Sequence, residues 1–264
     1  MTTNRIAGLT IESDDAVRIV RFDRPEAANA IDAGTHEALA TIWGELVGQS
    51  GARCIVLTGT GRLFCSGGDL AWIESLHSSD AAQTHALEQD QRILAAIRDC
   101  PVPILAAVNG PAVGLGCSIA VSCDLVLLAQ DAWLADPHVN IALAAGDGGA
   151  MMLPVLMPFM RAKQYLFTGD RIPAPLAVEL GLAIAATAPE RLLEETVQLA
   201  HRIARQPAAA LRATKRAVNL HLSHHALQVA AWASQAEALS MRDPEFAVAL
   251  EGLIAKLRAR GATQ

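Results

Sequence analysis

The chain has 264 residues, of which 52% are apolar and 18% charged, so it can bury a large core and does not have the composition of a disordered protein. Its formal net charge of −6 offers no basic excess to neutralise a phosphate backbone, which argues against a nucleic-acid partner. The strongly apolar segment 102–129 is interrupted by prolines, glycines and Asp124, so we predict buried strands there and no membrane span.

The first two thirds of the chain alternate between strand and helix patterns, which predicts an α/β fold. Short runs of apolar residues that end at proline or glycine predict strands, and apolar residues at helical spacing predict helices. In chain order we predict a strand at 17–22, a helix at 35–50, a strand at 54–58, a helix at 83–98, a strand at 104–108, a helix at 116–122 and a strand at 125–129.

The last quarter of the chain has a different pattern. No strand pattern occurs after residue 186, and the apolar residues follow helical spacing. Such helices need a surface to pack against, either on this chain or on a neighbouring subunit. We therefore divide the chain into an α/β core, residues 1–188, and a C-terminal helical region, residues 189–264. Its predicted helices span 190–205, 208–222, 225–241 and 245–260.

Cysteine usage indicates a reducing compartment. The number of cysteines is odd, they lie in largely apolar runs, and they lack metal-ligand spacing. Residues 1–15 contain no basic segment followed by an apolar stretch, so we see no secretion signal. We therefore predict a cytoplasmic protein with buried free thiols at Cys54, Cys65, Cys100, Cys117 and Cys123.

Two loops rich in small residues follow buried strands, at 64–70 (FCSGGDL) and 109–117 (NGPAVGLGC). Glycine, alanine and serine let a ligand approach the backbone, and the first N–H groups of a following helix are free to donate. Two such donors that converge would form an oxyanion hole. From the local sequence alone, two tight turns without a ligand explain the loops equally well.

Read in chain order, these loops resemble the enoyl-CoA hydratase/isomerase (crotonase) superfamily. The resemblance also covers 24–30 (RPEAANA), 103–110 (PILAAVNG), 123–124 (CD), 135–141 (ADPHVNI) and 166–170 (LFTGD). It implies a spiral of β-β-α units followed by a helical region that supports homotrimers, often paired into dimers of trimers. It also implies a coenzyme A thioester as the substrate, and we predict no metal and no other cofactor.

The resemblance assigns ligand positions residue by residue. It implies that the thioester carbonyl lies between the N–H groups of Gly68 and Leu115. The second of these positions is usually a glycine, so the Leu115 side chain must fit into or beside the pocket. The adenine and pantetheine portions are expected near Ala28, Ala30 and Ser66. The further positions expected to bind substrate are Gly67, Asp69, Leu70, Gly114 and Pro137, and we expect Asp69 also to order its own loop.

The sequence departs from the hydratase pattern at the two glutamates that position and deprotonate water. Ser118 and His138 stand at those positions. Asp147, nine positions after His138, could orient the imidazole and make it more basic, which is a standard way to activate water. The β-diketone hydrolases of the superfamily have a similar arrangement, but they also carry a histidine where this chain has Leu115.

Structural explanations for the same residues remain open. His138 could bind only backbone groups, and Asp147 could cap a helix that begins near residue 148. Ser118 could simply fill a helix start, although its hydroxyl could also position water or substrate. Asp136 remains an alternative acid, and Asp124 is expected to be structural.

The remaining candidates concern the two ends of the substrate. The acyl pocket or the core could contain Trp72, Leu143 and Met151. Ligands for the CoA phosphates could come from Lys215, Arg216, Lys256, Arg258 and Arg260.

We rank hydration or isomerisation of an unsaturated acyl-CoA first, hydrolysis of a thioester or a β-diketone close behind, and a non-catalytic acyl-CoA binding protein last.

Overall fold

A mixed sheet of seven strands forms the centre of the computed structural model, which describes residues 3–76 and 79–261. The strand order is β1-β2-β3-β4-β5-β7-β10; the first three strands pair antiparallel and the later ones parallel. The strands are β1 Thr3–Ile6, β2 Leu9–Asp14, β3 Val17–Phe22, β4 Cys54–Gly59, β5 Ile104–Val108, β7 Leu125–Ala129 and β10 Ala185–Thr187.

The parallel part of the sheet is buried on both faces. Every residue of β4 and β5 is buried, which is why these strands are continuous apolar runs in the sequence. The five cysteines are all free and buried, as predicted. The predicted strands and the predicted helices of the core are confirmed within a few residues at their ends.

A second sheet of three short strands positions the later part of the site. It consists of β6 Ala112–Val113, β8 Trp133–Ala135 and β9 Ile172–Pro173, in the order β6-β8-β9. The N–H of Gly114 donates to the carbonyl of Ala135 over 2.9 Å. This bond holds the end of β8 beside the second glycine loop.

Ten described helices surround the sheets, together with 3-10 helices at Pro25–Ala27 and His138–Ile141. None of the helices in the described ranges is long and apolar enough to cross a membrane. The helices are α1 Ala33–Ser50, α2 Leu70–Leu76, α3 Asp80–Asp99, α4 Leu115–Ser122, α5 Gly149–Leu156, α6 Phe159–Thr168, α7 Ala174–Glu179, α8 Pro189–Ala204, α9 Ala208–Ser240 and α10 Pro244–Gly261.

The C-terminal helices pack on this chain's own core. Helix α8 lies against β3, β4 and β5, and α9 lies against α3 and α5. The predicted break between helices at 222–225 is wrong, because α9 continues through it as one helix of 33 residues. No proline or glycine occurs between residues 208 and 240, so nothing in the backbone forces an interruption.

Candidate active site

The two glycine loops lie side by side. The N–H of Val113 donates to the carbonyl of Cys65 over 3.0 Å, and Cys65 pairs with Ala112 as an isolated bridge. A Cβ atom on Gly67 would lie 2.9 Å from the carbonyl oxygen of Val113, and the backbone of Gly67 has a φ of +92°. Only glycine combines that close approach with that conformation, so the sequence of the first loop allows the second to pack against it.

Gly68 of the first loop and Leu115 of the second both line one cavity of about 420 Å³. Leu115 is the first residue of α4, where an N–H group has no intrahelical acceptor. Within the described ranges, the N–H of Gly68 donates to no backbone acceptor. The side chain of Leu115 is 5% exposed, so it fits against the cavity wall without blocking the loop.

His138 lies between two carboxylates in the same cavity. Its Nδ1 atom is 2.5 Å from Oδ1 of Asp136, and its Nε2 atom is 3.2 Å from Oδ2 of Asp147. Asp136 follows β8, His138 begins the second 3-10 helix, and Asp147 precedes α5. A Cβ atom on Gly114 would lie 3.5 Å from Cε1 of His138, so the imidazole lies directly against the second glycine loop.

The two carboxylates determine the charge of the imidazole. Burial lowers the pKa of His138, but Asp147 and Asp136 more than offset this effect, and the pKa lies well above its usual value of 6.5. The two carboxylates therefore favour the imidazolium form of the ring. The alternative that His138 binds only backbone groups is wrong.

Ser118 completes the contacts of Asp147. Its hydroxyl donates to Oδ1 of Asp147 over 3.1 Å, and both side chains are buried. The N-cap residue of α5 is Gly148, and no side chain caps this helix, so the alternative that Asp147 is a helix cap is wrong. Asp147 instead has one oxygen on the serine and the other on the imidazolium.

These groups are arranged to hold a proton rather than a metal ion. Among the described residues, Asp136, His138 and Asp147 offer ligand atoms that lie within 4.8 Å of one another. The two carboxylates, however, approach opposite nitrogens of the ring. A metal ion could bind only one of the two ring nitrogens. It would then displace the carboxylate that contacts that nitrogen, so the three side chains do not form a chelate in this conformation.

Two further acids in the cavity were missed in the sequence. Asp90 on α3 lies 2.7 Å from Nε2 of His36, and burial, partly offset by His36, raises the pKa of Asp90 to about 6. Glu237 on α9 lines the cavity and is 3% exposed. Asp90 follows the buried Ala86 by four positions, and Glu237 follows the buried Ala233 by four positions, so each lies on the apolar face of its helix. A charged residue on a buried face was the sequence feature that could have identified them.

A family model described as Enoyl-CoA hydratase/isomerase matches residues 12–251. The chain belongs to the enoyl-CoA hydratase/isomerase family. It is 32% identical to crotonyl-CoA hydratase of Syntrophomonas wolfei, with 80% of this chain and 81% of the relative covered. It is 33% identical to (E)-benzylidenesuccinyl-CoA hydratase of Thauera aromatica, with 80% and 82% covered.

A solved structure supports the same assignment. The crystal structure of an enoyl-CoA hydratase/isomerase from Mycobacterium paratuberculosis superimposes with a TM-score of 0.88 and is 36% identical. The match covers 93% of this chain and 98% of that one. The crotonase fold predicted for this hydratase/isomerase-family chain, with its helical C-terminal region, is therefore confirmed.

The other predicted ligand positions of this hydratase/isomerase-family chain form two groups, one in the neighbouring segment and one in the wall of the cavity. Ala28 and Ala30 lie in the neighbouring segment, where the carbonyl of Ala28 accepts from the N–H of Ser66 over 3.2 Å. Asp69 orders its loop, as predicted: Oδ1 accepts from the N–H of Ala71 over 3.1 Å, and Oδ2 pairs with a guanidinium. The predicted positions that line the cavity itself are Ser66, Gly67, Leu70, Gly114 and Pro137.

The acyl-pocket candidates also separate. Trp72 and Leu143 line the cavity, and the Trp72 ring lies 4.7 Å from the ring of His36. Met151 does not line the cavity; it packs in the main core of the family fold, so of the two locations left open for it the structure shows the core. It lines a separate small pocket together with Met152 and Leu94.

Of the basic candidates, Lys256 is the one that lines the cavity in the described part of the chain. It is exposed, so it lies at the opening. Lys215 is buried and bonded to Asp124 over 2.7 Å, which confirms the structural role expected for Asp124 and makes this lysine unavailable to a phosphate. Arg216 lines a different pocket, Arg258 is exposed outside the cavity, and the side chain of Arg260 lies outside the described atoms.

Proposed function

We propose that the backbone N–H groups of Gly68 and Leu115 bind the thioester carbonyl of an acyl-CoA substrate, and that the His138–Asp147 pair moves a proton on the bound acyl group. The supporting observation is that one cavity contains both donors and this pair. Negative charge that develops on the carbonyl oxygen would be stabilised by each preorganised donor by about 3 kcal/mol. This chemistry needs no metal and no redox cofactor, because it moves only protons and the charge of an oxyanion.

The reaction we rank first is hydration or isomerisation of an unsaturated acyl-CoA. Membership of the family and the relative named crotonyl-CoA hydratase support it. In hydration, the oxygen of water bonds to the β carbon, the pair accepts the proton of that water, and the pair returns one proton to the α carbon. Asp147 and the imidazolium of His138 provide an acceptor and a donor in direct contact for these transfers.

Hydrolysis is the second candidate, and the replacement of both glutamates by Ser118 and His138 favours it. Water would add to a carbonyl carbon, and the oxyanion would collapse with cleavage of the C–S bond of a thioester or a C–C bond of a β-diketone. The proton that water gives to the pair would pass to the departing thiolate or carbon. A cationic imidazole is suited to that protonation.

Binding without catalysis is the third candidate. A protein that had lost its chemistry would not need a serine, an imidazolium and two aspartates in one continuous series of hydrogen bonds and ion pairs. Keeping ionised groups buried costs free energy that a passive acyl-CoA pocket could avoid with apolar side chains. The ordered arrangement of Ser118, Asp147, His138 and Asp136 therefore supports catalysis.

Mass spectrometry of products formed in heavy-oxygen water tests these candidates. The substrates are crotonyl-, cinnamoyl-, saturated and β-ketoacyl-CoA esters, together with a cyclic β-diketone. A gain of one labelled water with the thioester intact supports hydration, and a double-bond shift without label supports isomerisation. Label in a released carboxylate supports hydrolysis, and the length of the acid identifies the bond cleaved. Binding of CoA esters without turnover of any substrate would overturn the catalytic proposal.

We also propose that the chain assembles as a homotrimer or a dimer of trimers. The C-terminal helices expose large apolar side chains that the described chain leaves uncovered, among them Trp232 at 74% and Val248 at 71% exposure. Large apolar side chains exposed to this extent are available to pack in an interface between proteins. Light scattering at several concentrations tests the proposal, and a mass of 27.8 kDa, that of one chain, would contradict it.

A further inference from the structure

Glu237 places a carboxyl group in the cavity that the proposed mechanism does not use. Helix α9 carries it, it is 3% exposed, and it lines the cavity together with His138, Asp147 and Asp90. Within the described residues, its Oε2 atom is buried and has no hydrogen-bond partner. A buried polar atom without a partner is costly in a folded protein, so this carboxyl group calls for a partner that the described residues do not provide.

The backbone beside Glu237 leaves room for this carboxyl group. A Cβ atom on Gly146 would lie 2.6 Å from Oε2 of Glu237, so any other side chain at that position would collide with it. The carbonyl of Gly146 accepts from Nε2 of Gln91 over 3.1 Å, which fixes the backbone at that point. The glutamate therefore fits into a rigid recess next to the residue that precedes Asp147.

The charge around Glu237 favours its neutral form. Burial raises its pKa, His138 lowers it, and Asp147, Asp90 and Asp136 raise it again, so that the pKa of Glu237 lies well above its usual value of 4.5. This shift favours the protonated form of Glu237, a carboxylic acid whose hydroxyl group can donate. A donor without an acceptor in the protein calls for an acceptor on the ligand.

The position of Glu237 along the cavity indicates which part of a ligand it meets. Gly114 contacts the ring of His138, the ring contacts Asp147, and Glu237 lies against Gly146, the neighbour of Asp147. Glu237 therefore lies near the Asp147 end of the pair, whereas the second glycine loop lies against its His138 end. Besides these charged groups, the cavity wall contains apolar side chains, among them Leu87, Leu143 and Met241, which belong to one cluster.

We propose that Glu237 donates a hydrogen bond to an oxygen on the distal part of the acyl group, so that the preferred substrates are acyl-CoA thioesters with an oxo or hydroxyl group beyond the third carbon. This inference rests on the proposed acyl-CoA function. A plain hydrocarbon chain would leave the buried donor unpaired, whereas an oxygen at that point would satisfy it. The expected preference for the oxygenated ester is about 10- to 100-fold.

Calorimetric titration of CoA esters onto the whole chain tests the inference. Each saturated ester of five to eight carbons is paired with the same ester carrying an oxo group at the fourth, fifth or sixth carbon. The wild-type protein should bind at least one oxo ester about 10- to 100-fold more tightly than its plain partner. Equal affinity for every pair would overturn this inference alone. If no CoA ester bound at all, the proposed function would fail as well.

Variants separate recognition by Glu237 from a structural role. Glu237→Met should abolish the oxo preference, because it removes the donor, whereas Glu237→Gln should keep most of it, because an amide N–H can donate. Glu251→Met on α10, which replaces an exposed carboxylate outside the cavity, is the matched control and should behave as wild type. An oxo preference that survives in Glu237→Met, or equal weakening of both esters, would contradict the proposal.

A pH series keeps the proposal testable if Glu237→Met does not fold. The groups that face Glu237 are His138, Asp147, Asp136 and Asp90. As pH rises, loss of the proton from Glu237 should remove the oxo preference of the wild-type protein, while Glu237→Gln should keep its preference across the same range. A preference that is independent of pH in both proteins would overturn the inference.

Discussion

Nε2 of His138 lies 3.2 Å from Oδ2 of Asp147, although nine positions separate the two residues in the chain. The second 3-10 helix and the loop after it turn the chain back so that both side chains meet at the second glycine loop. Because Asp136 holds the opposite nitrogen, the ring cannot rotate without losing a charge-assisted hydrogen bond. The imidazole is therefore fixed in orientation as well as in charge.

Removal of this imidazole should abolish most of the activity. His138→Ala should lower kcat by about 10²- to 10⁴-fold, because general acid–base groups contribute that much to catalysis. CoA-ester affinity should change much less, since the backbone donors of the glycine loops remain. Steady-state kinetics on the substrate found by mass spectrometry, with calorimetry for binding, measures both quantities.

His201 provides the matched control for that substitution. It also pairs with an aspartate, at 2.8 Å from Asp14, but it lies outside the cavity. His201→Ala should keep wild-type kcat. If His138→Ala retained wild-type turnover, the His138–Asp147 pair would have no role in the reaction.

Gly149 allows Asp136 to reach the imidazole, and its replacement should disable the site. A Cβ atom on Gly149 would lie 1.5 Å from Oδ2 of Asp136, which is far closer than two atoms can approach. Gly149→Ala should therefore displace Asp136 from His138 and lower kcat by about tenfold or more, as expected when a positioning hydrogen bond to a charged group is lost. Kinetics and a crystal structure of the variant check this outcome.

Gly252 offers a comparison within a helix. Nothing lies within 4 Å of a Cβ atom built on it, and it belongs to α10. Gly252→Ala should leave kcat unchanged and raise stability by about 0.5–1 kcal/mol, the usual difference between alanine and glycine in a helix. Equal kinetic effects at the two glycines would mean that the contact with Asp136 does not matter.

Asp90 should make the protein less stable as pH rises from about 4 to about 6. Burial raises the pKa of its carboxyl group from 3.8 to about 6, so in this window the folded state binds more protons than the unfolded state. The protonated carboxyl group stabilises the folded state below pH 3.8. This stabilisation is lost as the pH rises through the folded-state pKa of about 6. The shift corresponds to about 3 kcal/mol.

Asp90→Asn tests this linkage, because the amide has no proton to lose. The difference in unfolding free energy, variant minus wild type, should increase by about 3 kcal/mol in total from below about pH 3 to above about pH 7, with most of the increase between about pH 4 and about pH 6. Urea unfolding at several pH values measures it. Asp99→Asn, at the exposed end of the same helix, serves as the control and should show no such increase. A difference that stays constant with pH for Asp90→Asn would contradict the prediction.

Lys256 should bind a negatively charged part of the substrate at the cavity opening. Lys256→Gln should raise the Kd for CoA esters by about three- to tenfold at low salt, and added salt should reduce the effect, because a partly exposed ion pair is weak and screened. Calorimetry at two salt concentrations measures it. Arg258→Gln removes a positive charge two positions away, outside the cavity, and should have little effect. Identical behaviour of the two variants would indicate a general charge effect.

The sequence identified the functional features that are formed by residues close together in the chain. The glycine loops, the strands that precede them and the substitution of both glutamates could all be identified from adjacent residues. The spacing of nine positions indicated Asp147 as the partner of His138 and left Asp136 only as an alternative acid. In the structure both aspartates contact the same ring. Which carboxylate reaches which nitrogen depends on a turn geometry that neither spacing nor composition encodes.

Asp90 and Glu237 could not be assigned for a different reason. Asp90 lies about 20 positions from either glycine loop and Glu237 about 120 positions after the second, each on a helix whose orientation is set by tertiary packing. A charged residue on an apolar face signals burial, but it does not reveal which cavity the side chain enters. The missed continuity of α9 has the same origin, because its polar middle section is stabilised by contacts of the whole helix with α3 and α5.

The order of these groups along the chain matters during protein synthesis. The ribosome makes both backbone donors, at Gly68 and Leu115, long before it makes α9 and α10, which contribute Glu237 and Lys256 to the cavity. An incomplete nascent chain therefore exposes the donors to water, with no wall to exclude it and no distal acid. The complete pocket arises only when the last helices dock, so translation that stops before α9 would yield a chain with half a binding site.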